Sequence, residues 1–381
     1  MSPSPRGAKG AVERILNNAQ GLSGYDLGET ARGLARKLGV EPSGILKLNQ
    51  NENLFVPLEF LRGLLREVVE EVDPRFYPPD EMTDLREALG ERLKVLPEEI
   101  VVGTGCDQLI DLVSRMALRR GDAAISISPT FSMYEQGVRV QGATYRAIPL
   151  RGDLSLDVEG MLDSATPRTR LLFLCSPNNP TANQFDEEEI RRLAEGFRGL
   201  VVVDETYADF AEGSIVPLIR GFENLVVLRS FSKAFGMAGL RLGYATANGD
   251  LAKAMRERFQ LPYSVSAITL RLGLKLLENI EVIESGIEAL KEQRRRLIEG
   301  LNEISGVHAL DSETNFVLFQ VGMGSNEAYG ALLKRGVIVR NIGRVLHMED
   351  CLRVAVAPPP VSERFIAALS EVVGEDREGE R

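Results

Sequence analysis

Tryptophan is absent from the 381 residues, and histidine occurs only at His308 and His347. With so few histidines, neither a His-based nucleophilic triad nor a His/Cys metal site is expected. The three cysteines, Cys106, Cys175 and Cys351, are odd in number and widely spaced, with no Cys-x-x-Cys. That usage fits reduced thiols in a cytoplasmic protein and not a disulfide framework. No apolar run approaches a membrane span, and Met1 to Gly10 lacks the apolar stretch of a signal peptide. Positive charge is in deficit: 45 Lys and Arg against 55 Asp and Glu leave a net −10. That sign argues against a nucleic acid or an anionic membrane as partner. What remains is an ordinary globular composition, 44% hydrophobic and 26% charged. The length suits two or three domains, or one large domain with an appendage.

Hydrophobic spacing divides the chain. Residues up to about Gly10 have nothing to bury and are expected to be disordered. Glu29–Leu38 reads as a helix closed by Gly39. Ile45–Leu48 is a short strand before the polar run Asn49–Asn53, Leu58–Val72 is helical, and Arg75–Asp80 is an extended loop before a helix at Thr83–Leu93. From Ile100, short apolar strands alternate with helices. Strands are expected at Ile100–Val102, Ala124–Ser128, Thr144–Ile148, Leu171–Cys175, Leu200–Val203, Leu225–Leu228 and Leu242–Ala245. Near-continuous apolar strands of this kind are buried on both faces. Helices are expected at about Gln108–Leu118, Ser132–Gln141 and Glu187–Phe197, with another near Leu218. The alternation predicts a three-layer α/β/α domain with a mainly parallel sheet. A long helical region from Ser266 to Ile304 follows, then strands at Asn315–Val321, Val337–Arg340 and Cys351–Ala357 and a helix at Ser362–Val373. These form a smaller α+β domain, with the charged residues after Gly374 expected to fray.

In open α/β sheets ligands bind beyond the carboxyl ends of the strands. Four polar sets fall there. Gly103-Thr104-Gly105-Cys106-Asp107 precedes a helix whose free N–H groups suit a phosphate, although a tight turn capped by Asp107 would look the same. Ser176-Pro177-Asn178-Asn179-Pro180-Thr181 holds two side-chain amides in a stiff loop, or is an Asn-Pro turn. Asp204, before Glu205-Thr206-Tyr207, ends a buried strand, a costly place for a carboxylate unless it meets a cation or a strong donor; an N-cap or solvated strand end is the plain alternative. Lys233 lies in a loop of small and apolar residues with Ser230, Ser232 and Arg241 nearby. A lysine just past a buried strand is poorly solvated, so its amine tends toward the nucleophilic neutral form. Together the sets supply a phosphate cradle, a partner for a protonated ring nitrogen and an amine for an imine. Pyridoxal phosphate needs that combination.

From about Tyr25 to Leu369 the chain resembles the fold-type I pyridoxal-phosphate aminotransferases, and within them the histidinol-phosphate branch. The resemblance is carried by Leu48-Asn49-Gln50-Asn51-Glu52-Asn53, Phe76-Tyr77-Pro78, the Cys175–Thr181 and Asp204–Tyr207 segments, Ser230–Phe235 with Ala238–Arg241, and Cys351-Leu352-Arg353-Val354. It implies pyridoxal 5'-phosphate held as a Schiff base on Lys233, which also moves the substrate proton. Asp204 would keep the ring nitrogen protonated, and Asn179 and Tyr207 would hold the phenolic oxygen. The backbone of Gly105, Cys106 and Asp107, with Ser230, Ser232 and Arg241, would hold the phosphate, and Phe131 would stack on the ring. Tyr77 would reach the neighbouring subunit's cofactor phosphate, making the active unit a homodimer. Arg353 would clamp a carboxylate, Arg340 would meet the substrate phosphate, and Tyr25 and Asn51 would line the substrate pocket.

The implied reaction exchanges an amino group between a small-molecule donor, histidinol phosphate, and a 2-oxo acid, 2-oxoglutarate. The implied divisions are an N-terminal arm at 1–47 belonging to the small domain, a large cofactor-binding domain at 48–275 and a C-terminal small domain at 276–381. Three departures from the family pattern stand out: Phe131 where a tyrosine is common, Ala182 where glycine is usual, and Ala357-Pro358-Pro359-Pro360 where Gly-Thr is expected. They bear on the donor more than on the cofactor, because an aromatic aminotransferase or a phosphothreonine-type decarboxylase would use the same site. A DNA-binding regulator reusing the fold would need an N-terminal extension larger and more basic than this one.

Overall fold

The computed structural model describes residues 6–22 and 24–379. Its elements begin with α1 (Arg6–Ala19), α2 (Ala31–Leu38), β1 (Leu46–Lys47), α3 (Leu58–Glu71) and α4 (Pro79–Leu93). The middle alternates β2 (Ile100–Gly103), α5 (Gly105–Ala117), β3 (Ala123–Ser128), α6 (Met133–Val140), β4 (Thr144–Pro149), α7 (Val158–Asp163) and β5 (Thr169–Cys175). Then come α8 (Glu187–Gly196), β6 (Leu200–Asp204), β7 (Leu225–Ser230), β8 (Gly243–Ala247) and α9 (Gly249–Ala254). The rest carries α10 (Ala267–Glu278), α11 (Ile280–Glu303), β9 (Val307–Ala309), β10 (Phe316–Val321) and α12 (Ser325–Lys334). It closes with β11 (Val337–Ile338), β12 (Arg340–Val345), β13 (Met348–Ala355) and α13 (Pro359–Gly379).

Among the described residues the larger sheet has seven strands in the order β2-β8-β7-β6-β5-β3-β4. Strands β3 to β7 pair in parallel, and β8 runs antiparallel to β2 and β7. Nearly every residue of β5, β6 and β7 is buried, as the apolar runs of these strands require. The expected α/β fold with a mainly parallel sheet is therefore present. A second sheet, β12-β13-β10-β9, is antiparallel, and β1 pairs in parallel with β11. The first strand of the chain is thus stitched to its last quarter. Helix α2 starts at Thr30, whose hydroxyl accepts from the Gly33 N–H, and stops at Gly39 in the left-handed conformation at φ 69°. Both are the ends its sequence calls for.

Several local expectations are corrected. Residues 6–10 are helical, as part of α1, while 1–5 lie outside the described residues. Val12, Ile15 and Leu16 give α1 an apolar stripe that the composition before Gly10 does not reveal. Helix α4 begins at Pro79, inside the segment expected to be a loop, because proline at the first helical position loses no hydrogen bond. The region after Ser266 is two helices that meet at Asn279. The strand expected at Val337–Arg340 is two: β11 goes to β1, and Arg340 opens β12 beside β13. Helix α13 continues past Gly374 to Gly379.

Candidate active site

The parallel strands deliver their last residues to one edge of the sheet. Cys175 of β5 is in register with Asp204 of β6, and Asp204 with Leu228 of β7, two residues before Ser230. Beyond this edge lies a cavity of about 660 Å³. Asp204, Tyr207, Ser230, Ser232 and Lys233 line it, as do Cys106, Asp107 and Arg241 from the cradle side. Phe131, Asn179, Tyr25, Asn51 and Arg353 complete the expected residues that reach it. The four sets inferred from strand ends thus meet in one place, together with segments from both ends of the chain.

Asp204 is 3% exposed. The Tyr134 hydroxyl donates to its Oδ2 at 2.8 Å, and the Thr206 N–H donates to its Oδ1 at 3.0 Å. Burial pushes its carboxyl above the usual range, against the Thr206 hydroxyl and these two donors. The adjacent Glu205 is spent elsewhere: it accepts from Arg229 Nε at 2.9 Å, the Ser214 hydroxyl and the Ile215 N–H. Asp204, not Glu205, is therefore the strand-end acid left facing the cavity.

Lys233 Nζ donates to the Gln50 carbonyl at 3.0 Å and lies 5.8 Å from the centre of the Tyr207 ring. Burial, helped by the charge of Arg353, lowers its amine to about 8, although Glu52 and Asp107 oppose the shift. The neutral amine is thus accessible near physiological pH. The Tyr207 hydroxyl accepts from Asn51 Nδ2 at 3.0 Å.

The basic cradle is built on close backbone approach. Arg241, at φ 54°, donates from Nη2 to Asp107 Oδ2 at 2.7 Å and from Nη1 to the Ser232 hydroxyl at 3.3 Å. Gly105 has φ +75°, and a Cβ there would sit 2.7 Å from Arg241 Nη2. A Cβ on Gly243 would sit 2.9 Å from the Cys106 backbone nitrogen. Both glycines keep the start of α5 open to a small anion, whose charge suits the helix N-terminus.

Arg353 is anchored by the Asn179 Oδ1 and, through Nη2 at 2.9 Å, by the Asn49 carbonyl. Its Nε and the Asn51 Oδ1 are buried without a partner. Arg340 is the register partner of Arg353 on the antiparallel strands β12 and β13. Like charges directly opposite each other are unfavourable unless anions join them. Arg340 does not line the cavity. Its Nη1 donates to the Asp26 carbonyl and pairs with the Asp26 carboxylate, each at 3.1 Å. Tyr77 is also outside: its side chain is largely exposed and stacks on Tyr263 at 4.4 Å. Sequence reasoning passed over Tyr134, Thr206, Gln50 and Glu52. The last three stand in quoted motifs, whereas Tyr134 looks like any apolar residue of its helix.

A near-neutral amine, a buried acid and a basic glycine cradle around one cavity fit a phosphorylated aldehyde with a protonated ring nitrogen. The unpartnered Arg353 and Asn51 atoms leave room for a polar substrate beside it. The fold and these groups are those of a group-transfer enzyme built around such a cofactor. The chain belongs to the family Aminotransferase class I and II, which it matches over residues 43–369. The cofactor of this family is pyridoxal phosphate, and the protein is a pyridoxal-phosphate-dependent aminotransferase. It is 35% identical over 329 residues to a histidinol-phosphate aminotransferase of Caldanaerobacter subterraneus subsp. tengcongensis, covering 86% of this chain and 93% of that one. It is 32% identical over 366 residues to one from Methanococcoides burtonii, covering 94% and 99%. Its fold is similar to the histidinol-phosphate aminotransferase of Sinorhizobium meliloti solved with pyridoxal-5'-phosphate. The TM-score is 0.84 at 24% identity, over 94% of this chain and 97% of that one.

Proposed function

We propose that the protein transfers the amino group of histidinol phosphate to 2-oxoglutarate. Relatives of that name across nearly the whole chain support the reading. The observation that carries it within the structure is the cross-strand register of Arg340 and Arg353: Arg353 lines the cavity, and Arg340 is its partner on the neighbouring strand, held by Asp26. Such a pair suits substrates with two anionic ends, a phosphorylated donor and a dicarboxylate acceptor.

Bound pyridoxal phosphate supplies an electron sink for the bond broken at the donor's amino-bearing carbon. Lys233 Nζ would be the covalent anchor, and its amine is placed to take the proton from that carbon and return it across the imine nitrogen. The Asp204 carboxylate holds a proton on the ring nitrogen. Asn179 and Tyr207 would hold the phenolic oxygen, and Phe131 would pack against the ring. Ser230, Ser232, Arg241 and the backbone of Gly105, Cys106 and Asp107 hold the phosphate. Arg353 orients the acceptor's α-carboxylate, Arg340 takes the donor phosphate in place of Asp26, and Tyr25 and Asn51 border the donor.

The active unit in this reading is a homodimer. Tyr77, turned away from its own cavity, reaches the phosphate site of a second copy. The division at 48–275 for the cofactor-binding domain, with 1–47 and 276–381 forming the smaller one, belongs to the same proposal. So does a cytoplasmic setting, which the three buried free thiols suit. No helix among the described residues is long and apolar enough to cross a membrane. A panel of amino donors with 2-oxoglutarate, including histidinol phosphate, phenylalanine and phosphothreonine, tests the substrate. Histidinol phosphate should give the highest kcat/KM; preference for phenylalanine, or release of carbon dioxide from phosphothreonine, would replace the proposal.

A further inference from the structure

Tyr134 is fully buried on α6, far from solvent and without a role in the reading above. Its ring stacks on Phe173 of β5 at 4.9 Å and 9°, and Phe131 meets it edge-on at 5.6 Å and 84°. Packing alone would be served by phenylalanine, because a buried hydroxyl is costly unless it is hydrogen-bonded. The hydroxyl is hydrogen-bonded, and its acceptor is Asp204 Oδ2 at 2.8 Å. The other donors to that carboxylate come from Thr206, whose N–H donates to Oδ1 at 3.0 Å and whose hydroxyl also favours the charged form. The carboxylate is thus held from two sides, by α6 on Oδ2 and by its own turn on Oδ1, which fixes the plane of the group as well as its charge.

We infer that Tyr134 is a positioning residue for Asp204: its hydroxyl keeps the carboxylate ionised and aimed, so that the shared proton stays on the ring nitrogen of bound pyridoxal phosphate. This rests on the proposed role of Asp204. Burial and the neighbouring Asp204 push the phenol well above its usual range, so Tyr134 stays protonated and is always the donor. The other titratable groups facing the pair are Cys175 from β5, Cys106 and Asp107 from α5, and Tyr207 after β6. Cys106, Cys175 and Tyr207 are themselves raised by burial and stay neutral. Asp107 is paired with Arg241. The hydroxyl of Tyr134 is therefore the donor from outside Asp204's own turn, acting beside Thr206 to set how strongly Asp204 competes for the ring proton. Without it the carboxylate is a stronger base, and the proton moves toward Asp204.

The test is the pH titration of the near-visible absorption of the cofactor bound at Lys233. A positive ring nitrogen, conjugated with that linkage, depresses its proton affinity. Losing the charge raises the midpoint. Tyr134→Phe should raise it by about one unit, a tenfold change in partition, since a hydrogen bond to a charged group is removed. Tyr134→Met, which also has no donor, gives the same reading if Phe fails to fold. Phe173→Leu disturbs the stack but keeps the hydroxyl, so it should lower the melting temperature and leave the midpoint in place. An unchanged midpoint in Tyr134→Phe, or an equal shift in Phe173→Leu, would overturn the inference. Asp204→Asn separates this from the reading beneath it. If that variant moves the midpoint and Tyr134→Phe does not, the role of Asp204 stands and that of Tyr134 falls. If neither moves, both fall.

Discussion

Replacing Arg340 by alanine should penalise a phosphorylated donor and spare an unphosphorylated one. In the structure the guanidinium is occupied by Asp26, and the two side chains are unequally placed: 26% exposed for Arg340 and 75% for Asp26. A pair with so exposed a carboxylate is worth roughly 0–1 kcal/mol. A substrate phosphate in the same position would accept charge-assisted hydrogen bonds worth about 1.5–3 kcal/mol. It must first displace Asp26, so the net contribution of Arg340 is about 0.5–3 kcal/mol, or roughly 2- to 150-fold in kcat/KM. Asp26→Asn removes the competitor and should improve the phosphorylated donor by no more than about fivefold. The measurement is the single-turnover first half-reaction without acceptor, followed by cofactor absorbance, with histidinol phosphate and with phenylalanine. Restricting it to that half keeps the 2-oxo acid out of the comparison. Equal losses for both donors in Arg340→Ala would refute the assignment and favour an aromatic aminotransferase.

Asp204→Asn should keep the fold and part of the cofactor affinity but slow transamination by about a hundredfold or more, because an amide cannot hold the proton on the ring nitrogen. Near-normal turnover would reduce Asp204 to a structural cap. In the cofactor-free protein the reactive form of Lys233 is its neutral amine, and burial has lowered that group to about 8. Capture of pyridoxal phosphate, timed by its absorbance, should therefore rise with pH through a midpoint near 8 and level off above it; a rate still rising beyond pH 10 would contradict the lowered value. Lys233→Ala chains mixed with Tyr77→Ala chains should regain activity through heterodimers holding one intact site. With subunit exchange verified, no recovery would mean that each chain builds its site alone.

The large sheet was legible because its central strands β5, β6 and β7 are buried on both faces, so their apolar runs are nearly unbroken and end in polar sets, whereas the edge strand β4 is largely exposed. Asp204 and Lys233 follow from that pattern, since a charge directly after such a run must be paid for by a partner. Tyr134 did not follow. In the sequence it shares its helix face with Val138, and its partner lies 70 residues away on β6, a juxtaposition made only when α6 packs on the sheet. The pairing of Arg340 with Arg353 was equally hidden, because it depends on the register of β12 against β13, which spacing does not give. The charged tail after Gly374 read as frayed because its residues bury little, yet it simply prolongs a helix already anchored by Phe365, Leu369 and Val372.

The stitching of β1 to β11 has a consequence for synthesis. Asn49 and Asn51 leave the ribosome early, but the groups that bind them come late: Asn315 Nδ2 donates to the Asn51 carbonyl at 2.8 Å, and Arg353 to that of Asn49. The seven-stranded sheet is complete once Ala247 has emerged, whereas the segment that carries the carbonyl partner of Lys233 must wait for about a hundred further residues. A nascent chain thus passes through a stage with a finished sheet and an unfinished pocket. A ribosome stalled before Arg353 would hold a chain that has the residues for the cofactor but lacks the arginine for the substrate carboxylate.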